Sequence, residues 1–432
     1  MYLVDASQDV LRYAYKGYLS IKSGTERIAV AKEDIFSKYK ELLQEPSNGC
    51  VAYIHIPFCQ YRCSFCGFSG SKITKEEGGA YVDALIKEIK LISQYAYVKE
   101  TPMRAIYLGG GTPSAIEPEY LKLLCESFHK YFNPANDCEI TLEGRIHDFE
   151  GKRGKDILEA GFNRLSIGVQ TFNTKIRRSL GRVSEGEKAA EILGNLASYN
   201  KAAIIIDLIY GLPAQSVEIF LEDLKTAERA GVDGLDTYQL KVFESSPLKK
   251  SILAGATPDA AKISEQGSFY KAAYDHLIHN HWHQLSLNHY ARTSRERNIY
   301  NPWVKRKAGC LAIGAGAGGS INGWSYYRAP VAQRYICNIE AGNFSPDSLT
   351  APNSCGTLAN KITEQMEKGY LNIQEIFAIN EDFKAKLAPY VENWANAKLI
   401  EIDGKYMNLT TAGKFWGVNL IRAVTDILTG EK

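Results

Sequence analysis

Three of the chain's nine cysteines stand within eight positions, at Cys59, Cys63 and Cys66 in YIHIPFCQYRCSFCGFS. The spacing C-x3-C-x2-C lets one loop bring three thiolates to an iron–sulfur cube. A structural zinc is the competing reading, and it asks for a fourth ligand. No Cys or His follows closely after Cys66. His55 could serve, but it lies in the strand-like run before the loop, where a histidine usually packs or hydrogen-bonds. Tyr61, Phe65 and Phe68 would shield a redox centre from water. A cluster with three protein ligands leaves one iron open, and an open iron takes an exchangeable ligand.

Such a loop needs rigid elements to present it. From residue 51 to about 240, short β-branched or apolar runs alternate with longer amphipathic stretches. The runs VAYIHI (51–56), AIYLG (105–109), CEITLE (138–143), RLSIGV (164–169), AIIIDLI (203–209) and GLDTYQL (234–240) read as strands. Apolar residues three or four apart predict helices near 79–97, 118–132, 153–160, 185–199 and 216–230. Strand–helix units in series imply a parallel sheet with right-handed crossovers, a complete or partial barrel with its site at the strands' C-terminal ends. The polar and glycine-containing segments after those strands are the cysteine loop, GGGTP (109–113), EGRIH (143–147), Gln170, and Asp207 with the YGLP that follows it.

Lys plus Arg number 51 and Asp plus Glu 49, so charge does not recommend nucleic acid as a partner, and specificity should come from a pocket. The N-terminus lacks a secretory pattern and no apolar run is long enough for a membrane span, so a cytoplasmic protein is expected. Cys50, Cys125, Cys138, Cys310, Cys337 and Cys355 are scattered singly and read as buried small hydrophobes. Residues 241–262, with Pro247, Gly255 and Pro258, read as a connection. GAGAGG (314–319) superficially resembles a dinucleotide fingerprint but lacks the strand–helix unit and acidic residue that would support it; a close-packed loop lining the cofactor or substrate is expected instead. Beyond about residue 354, helical periodicity and two short strands around Asp403-Gly404 lead to a closing helix capped near Thr410 or Thr411. That order suggests a winged-helix-like unit, expected to pack on the barrel rather than bind DNA.

The cysteine loop after a first strand, with GGGTP after a second, resembles the radical S-adenosylmethionine (SAM) superfamily. YIHIPFCQYRCSFCGF, YLGGGTPS, NRLSIGVQTF and IDLIYGLP are similar to its oxygen-independent coproporphyrinogen dehydrogenase group, which includes heme chaperones. EITLEGRIHDFE, LSLNHYARTSRERNIYN and CLAIGAGAGGSINGWSYY most resemble the anaerobic heme-degrading branch, the anaerobilin synthases. The coproporphyrinogen enzymes and chaperones follow the third-strand Glu with a pattern ending in Pro, whereas here Gly-Arg-Ile-His follows.

The resemblance implies a partial (β/α)6 barrel at 51–255, preceded by an N-terminal helical extension (1–50) and followed by a barrel-covering substrate segment (256–350). A winged-helix-like, mostly helical domain completes it (351–432). It implies a 4Fe–4S cluster on Cys59, Cys63 and Cys66, and two SAM molecules side by side. Tyr53, the Gly109, Gly110, Gly111 and Thr112 loop, and Glu143 match contacts of the first; Gln170, Arg182 and Asp207 match polar positions of the adenosyl pockets. For Arg182 a surface salt bridge is the alternative, and for Tyr53 a packed barrel aromatic. Phe65 and Lys241 match places near the second SAM, although a small residue is expected where Lys241 stands. Heme is the implied substrate and reduced flavodoxin, or a similar protein, the implied electron donor. Of the histidines, including His279, His281 and His283, His289 is the first choice for a heme contact or iron ligand and His147 the second. Arg292, Arg295 and Arg297 could pair with propionates.

Overall fold

The computed structural model describes residues 2–19, 28–67, 72, 74–352, 356–379 and 381–430. Phe68 and Cys355 lie outside them. Six strands follow one another in space as in sequence: β1 (Cys50–Ile56), β2 (Met103–Gly110), β3 (Pro134–Arg145), β4 (Arg164–Gln170), β5 (Ala203–Tyr210) and β6 (Gly234–Gln239). Each pairs in parallel with the next. Runs such as AIIIDLIY suit this, because a strand covered by helices on one face and by side chains of the barrel interior on the other is buried on both. The connecting helices, among them Lys75–Ile92, Pro118–Tyr131, Gly186–Ser198 and Val217–Arg229, lie where the apolar periodicity predicts them. Their starts are encoded locally: Thr74 and Glu77 form a capping box, and Ser216 caps the helix at Val217.

The segment beyond residue 256 does more than cover the barrel, because it extends the same sheet at both edges. On the β6 side lie β7 (His283–Gln284) and β8 (His289–Ala291), with β8 antiparallel to β6. On the β1 side β9 (Cys310–Ile313) pairs in parallel with β1, and β10 (Gly318–Ile321), β11 (Trp324–Tyr327) and β12 (Ser348–Thr350) continue outward. The connection at 241–262 contains a helix, Pro247–Leu253, started by the Ser246 cap. A second sheet of β13 (Tyr370–Asn372), β14 (Ile400–Asp403) and β15 (Tyr406–Leu409) accompanies the C-terminal helices, and Thr410 caps the helix at Thr411. This unit packs on the barrel through Gly417 against Leu287 and through a hydrogen bond from the Leu287 amide to the Glu367 carbonyl. The N-terminal residues lie across it, with Trp394 and Trp416 donating to the carbonyls of Tyr2 and Val10.

Cys50, Cys125, Cys138 and Cys310 are buried as expected, whereas Cys337 is exposed. It stands on the outer face of helix Ala332–Glu340, which buries Tyr335 and Ile339 instead. The turn at Gly314 and Gly316 does not line the cleft described below. It packs behind β1, where a side chain at Gly314 would meet the His55 carbonyl and the Tyr81 hydroxyl. No helix among the described residues is long and apolar enough to cross a membrane.

One buried cluster locks that turn in place. Glu88 takes an ion pair from Arg328 at 2.5 Å and hydrogen bonds from the Tyr335 hydroxyl and the Gly314 amide. Both charged side chains are almost fully buried, so removing one leaves the other without its countercharge. Arg328→Ala should lower unfolding stability by about 3–5 kcal/mol, read as a fall in urea midpoint at unchanged denaturant slope.

Candidate functional site

The C-terminal ends of β1 to β5 open into a cleft of about 220 Å³. Its lining includes Cys59, Cys63, Cys66, Phe65, Gly110, Gly111, Thr112, Glu143, Gln170, Arg182 and Asp207. Residues widely separated in sequence thus meet at one mouth.

Backbone hydrogen bonds fix the cysteine loop on both flanks. Gly111 and Thr112 donate to the carbonyls of Ile56 and Phe58, each at 2.7 Å, and the Thr112 hydroxyl lies 3.5 Å from Cys59 Sγ. On the far side Ser64 donates to Leu180 O at 3.4 Å and accepts from the Leu248 amide at 2.8 Å. The glycines are required by approach rather than by flexibility alone. Gly110 has φ +113°, and a Cβ there would lie 2.5 Å from the His55 ring; at Gly111 it would collide with the Phe58 carbonyl.

Glu143 ends up inside because side chains alternate along β3. It accepts from the Tyr107 hydroxyl at 2.6 Å and from the Gly110 amide at 3.2 Å. Burial pushes its carboxyl up, and those two hydrogen bonds pull the other way. Two residues on, Arg145 donates to the Tyr61 carbonyl and points at Cys63 Sγ, 3.6 Å away. Arg182 is no surface salt bridge. It is buried over the Phe65 ring at 5.6 Å, and that burial lowers its pKa, with Cys63, Asp207 and Cys66 opposing. Gln170 sits at φ +68°, unusual for a side chain of this kind, where the β4–β5 register breaks. Arg177 braces the bend by donating to the carbonyls of Val169 and Thr171 at 2.8 and 2.9 Å.

The donor set fits a cluster with one further ligand. Three thiols share one cleft with Arg62, Arg145 and Arg182, and the buried Gln170 Oε1 and Arg182 Nε have no hydrogen-bond partner among the described residues, leaving an acceptor and a donor for a bound molecule. Among the described residues no three His, Cys, Asp or Glu converge as one ion requires. Thiolates around a single zinc, about 2.3 Å from it, would crowd together, whereas a cube spreads its ligands over several irons.

Other expected residues are placed differently. Tyr53 lies outside the cleft lining, stacked with Tyr107 and Tyr300, its hydroxyl 3.0 Å from His55 Nδ1. Lys241 is exposed just beyond β6 and does not line the cleft. His147 stands at the rim, its ring 6.1 Å from that of Tyr61 and its Nε2 3.2 Å from Asp148. Burial lowers its pKa, with Asp148 opposing and Arg145 reinforcing. His289 is corrected as an iron ligand, because it is buried with a carboxylate within 2.9 Å of each ring nitrogen. The three arginines are corrected as propionate partners. Arg292 donates to Glu228 O, Arg295 to Ala202 O and Arg297 to Asp137, all at the N-terminal end of the strands, opposite the cleft. The sequence reading missed Arg145 although EGRIH had been singled out, and it missed Asp236, whose partners are described below.

Residues 53–227 match the sequence profile of the radical SAM superfamily. The chain is 35% identical to the anaerobilin synthase of Escherichia coli O157:H7 over 93% of its own length and 90% of that protein's. It is 27% identical to the heme chaperone HemW of Bacillus subtilis over 68% of its length and 76% of the relative's. Its fold follows coproporphyrinogen III oxidase (HemN) from Escherichia coli at a TM-score of 0.78 and 21% identity, covering 99% of each chain.

Gly111→Ala should displace the Phe58 carbonyl and with it Cys59. The expected result is an iron and sulfide content well below wild type after anaerobic reconstitution, with stability lowered by about 1–3 kcal/mol; elemental analysis and urea denaturation read the two effects.

Proposed function

This chain belongs to the radical SAM superfamily, and on that premise we propose that it degrades heme anaerobically, methylating and opening the macrocycle to a linear tetrapyrrole with release of iron. The observation that carries this reading is the relationship to an anaerobilin synthase along nearly the whole of both chains. The Gly-Arg-Ile-His that follows Glu143 in this chain supports it.

Cys59, Cys63 and Cys66 would hold the 4Fe–4S cluster. With SAM bound, the cluster supplies one-electron cleavage of a sulfonium carbon–sulfur bond and hence a carbon radical able to abstract hydrogen. The protein's part is to hold the charged cofactor and to keep water out. Amides of the glycine loop and the Arg182 guanidinium suit a carboxylate, and Glu143 suits an ammonium. Asp207 suits ribose hydroxyls or an ammonium, and the Gln170 oxygen, unpartnered among the described residues, can accept from the adenosyl part. A second SAM on the Phe65 side would supply the methyl-derived carbon, and His147 is the rim residue available to the heme. Arg145 keeps the cysteine loop against the end of β3, so the radical source and the substrate rim stay in fixed relation. The work would proceed in the cytoplasm with reduced flavodoxin or a similar donor.

Anaerobic incubation of reconstituted protein with heme, SAM and reductant should consume the heme absorption, and Cys63→Ser should abolish the loss. Unchanged heme alongside active SAM cleavage would contradict the proposal. Stoichiometric transfer of intact heme to an apo-acceptor would indicate a chaperone, and formation of protoporphyrinogen from coproporphyrinogen a dehydrogenase.

A further inference from the structure

Beneath the cleft the inner face of the sheet carries buried charges that the steps above do not use. His289, 1% exposed, shares a hydrogen bond through Nε2 with Glu296 Oε1 at 2.9 Å, and its Nδ1 makes an ion contact with Asp236 Oδ2 at 2.9 Å. Glu296 also accepts two hydrogen bonds from Arg164, at 2.9 and 3.1 Å. Asp236 is the register partner of His289 across β6–β8 and of Asp207 across β5–β6. Arg164, Glu296, His289 and Asp236 therefore form a chain of alternating charge whose last member adjoins Asp207, and Asp207 lines the cleft.

A neutral imidazole brings no charge to set against two flanking carboxylates, whereas the imidazolium is attracted to both, through the hydrogen bond at Nε2 and the ion contact at Nδ1. We propose that His289 is a positioning residue: held as an imidazolium between Asp236 and Glu296, it offsets the charge of Asp236 and lets Asp207 stay anionic at the cleft floor, where the sulfonium cofactor binds.

The balance around Asp207 is close. Burial, then Asp236 and Glu143, push its carboxyl up to about 7, while Arg164 and His289 pull it down. Burial works against the charge of His289, but Asp236 and Glu296 overcome it and raise the imidazole to about 9. Burial likewise opposes ionisation of Glu296, which Arg164 and His289 nevertheless hold at about 2. Among the described residues, other titratable or charged groups facing this interior include Tyr107 on β2 with Tyr53 and Tyr300 stacked against it, Glu139 and Glu143 on β3, Tyr238 on β6 and Arg182 above.

Asp207 sets the direction of the pH dependence. A ligand that needs its anion binds fully above that pKa and loses affinity as pH falls through it. Removing the imidazolium raises the pKa and moves the loss to higher pH. Removing Asp236, whose repulsion outweighs the His289 attraction, moves it lower.

The inference rests on the superfamily cofactor and not on the tetrapyrrole reading, so a failure of one leaves the other standing. The test is the affinity of the cluster-reconstituted protein for SAM, measured by calorimetry from about pH 6 to about 9. Wild type should weaken as pH falls, with a midpoint of about 7. His289→Gln should raise the midpoint by about one pH unit, close to a tenfold loss of affinity below it. Asp236→Asn should lower the midpoint, and Asp207→Asn should abolish the pH dependence. General loosening of the barrel would not shift two neighbours in opposite directions. An unmoved midpoint in His289→Gln, or shifts of the same sign in the two variants, would overturn the inference. Should His289→Gln fail to fold, an unmoved or raised midpoint in Asp236→Asn overturns it alone.

Discussion

Carboxylates buried beside other carboxylates need cations held among them, and the centre of this barrel is built on that requirement. Glu139, Glu143, Asp207, Asp236 and Glu296 share an interior with Arg164 and His289. Arg164 is buried, yet its acidic neighbours more than offset the cost of desolvating it. Because Glu296 and His289 reach the interior from beyond β6, the segment after residue 256 is part of the barrel's electrostatic design. The acidic floor in turn suits a cofactor that carries positive charge, and the guanidinium groups of Arg145 and Arg182 sit at the opposite, thiol-bearing wall.

Geometry above that floor is set by backbone contacts more than by side chains. The glycine loop and the cysteine loop are joined by main-chain hydrogen bonds, so Gly110 and Gly111 act on the thiols through the chain itself. Gln170 is held in a left-handed conformation by Arg177 and by the register break, an arrangement stabilised from outside the cleft.

Much of this was legible in the sequence because it is encoded locally. Strand runs, helix caps and the C-x3-C-x2-C spacing need no distant partner to be read, and Asp207 within AIIIDLI signals a site because an isolated charge in an apolar strand is costly. What misled were residues whose meaning depends on partners far away in the chain. His289 is polar and stands in a stretch typical of the branch, yet it pairs with Asp236 and Glu296; Glu296 binds Arg164, 132 positions away. The same stretch carries Arg292, Arg295 and Arg297 past β8 to the strands' N-terminal end, because β8 runs antiparallel to β6. Arg145 was hidden for the complementary reason: only the fold brings it to Cys63, 82 positions earlier.

The proposed function directs the radical chemistry of this cleft at a tetrapyrrole and delivers a SAM-derived carbon to it. The mass of the tetrapyrrole recovered after anaerobic turnover with SAM labelled in its methyl group tests that most directly. A linear, iron-free product that carries the label is expected. Recovery of heme of unchanged mass, or of an opened product without label, would contradict it.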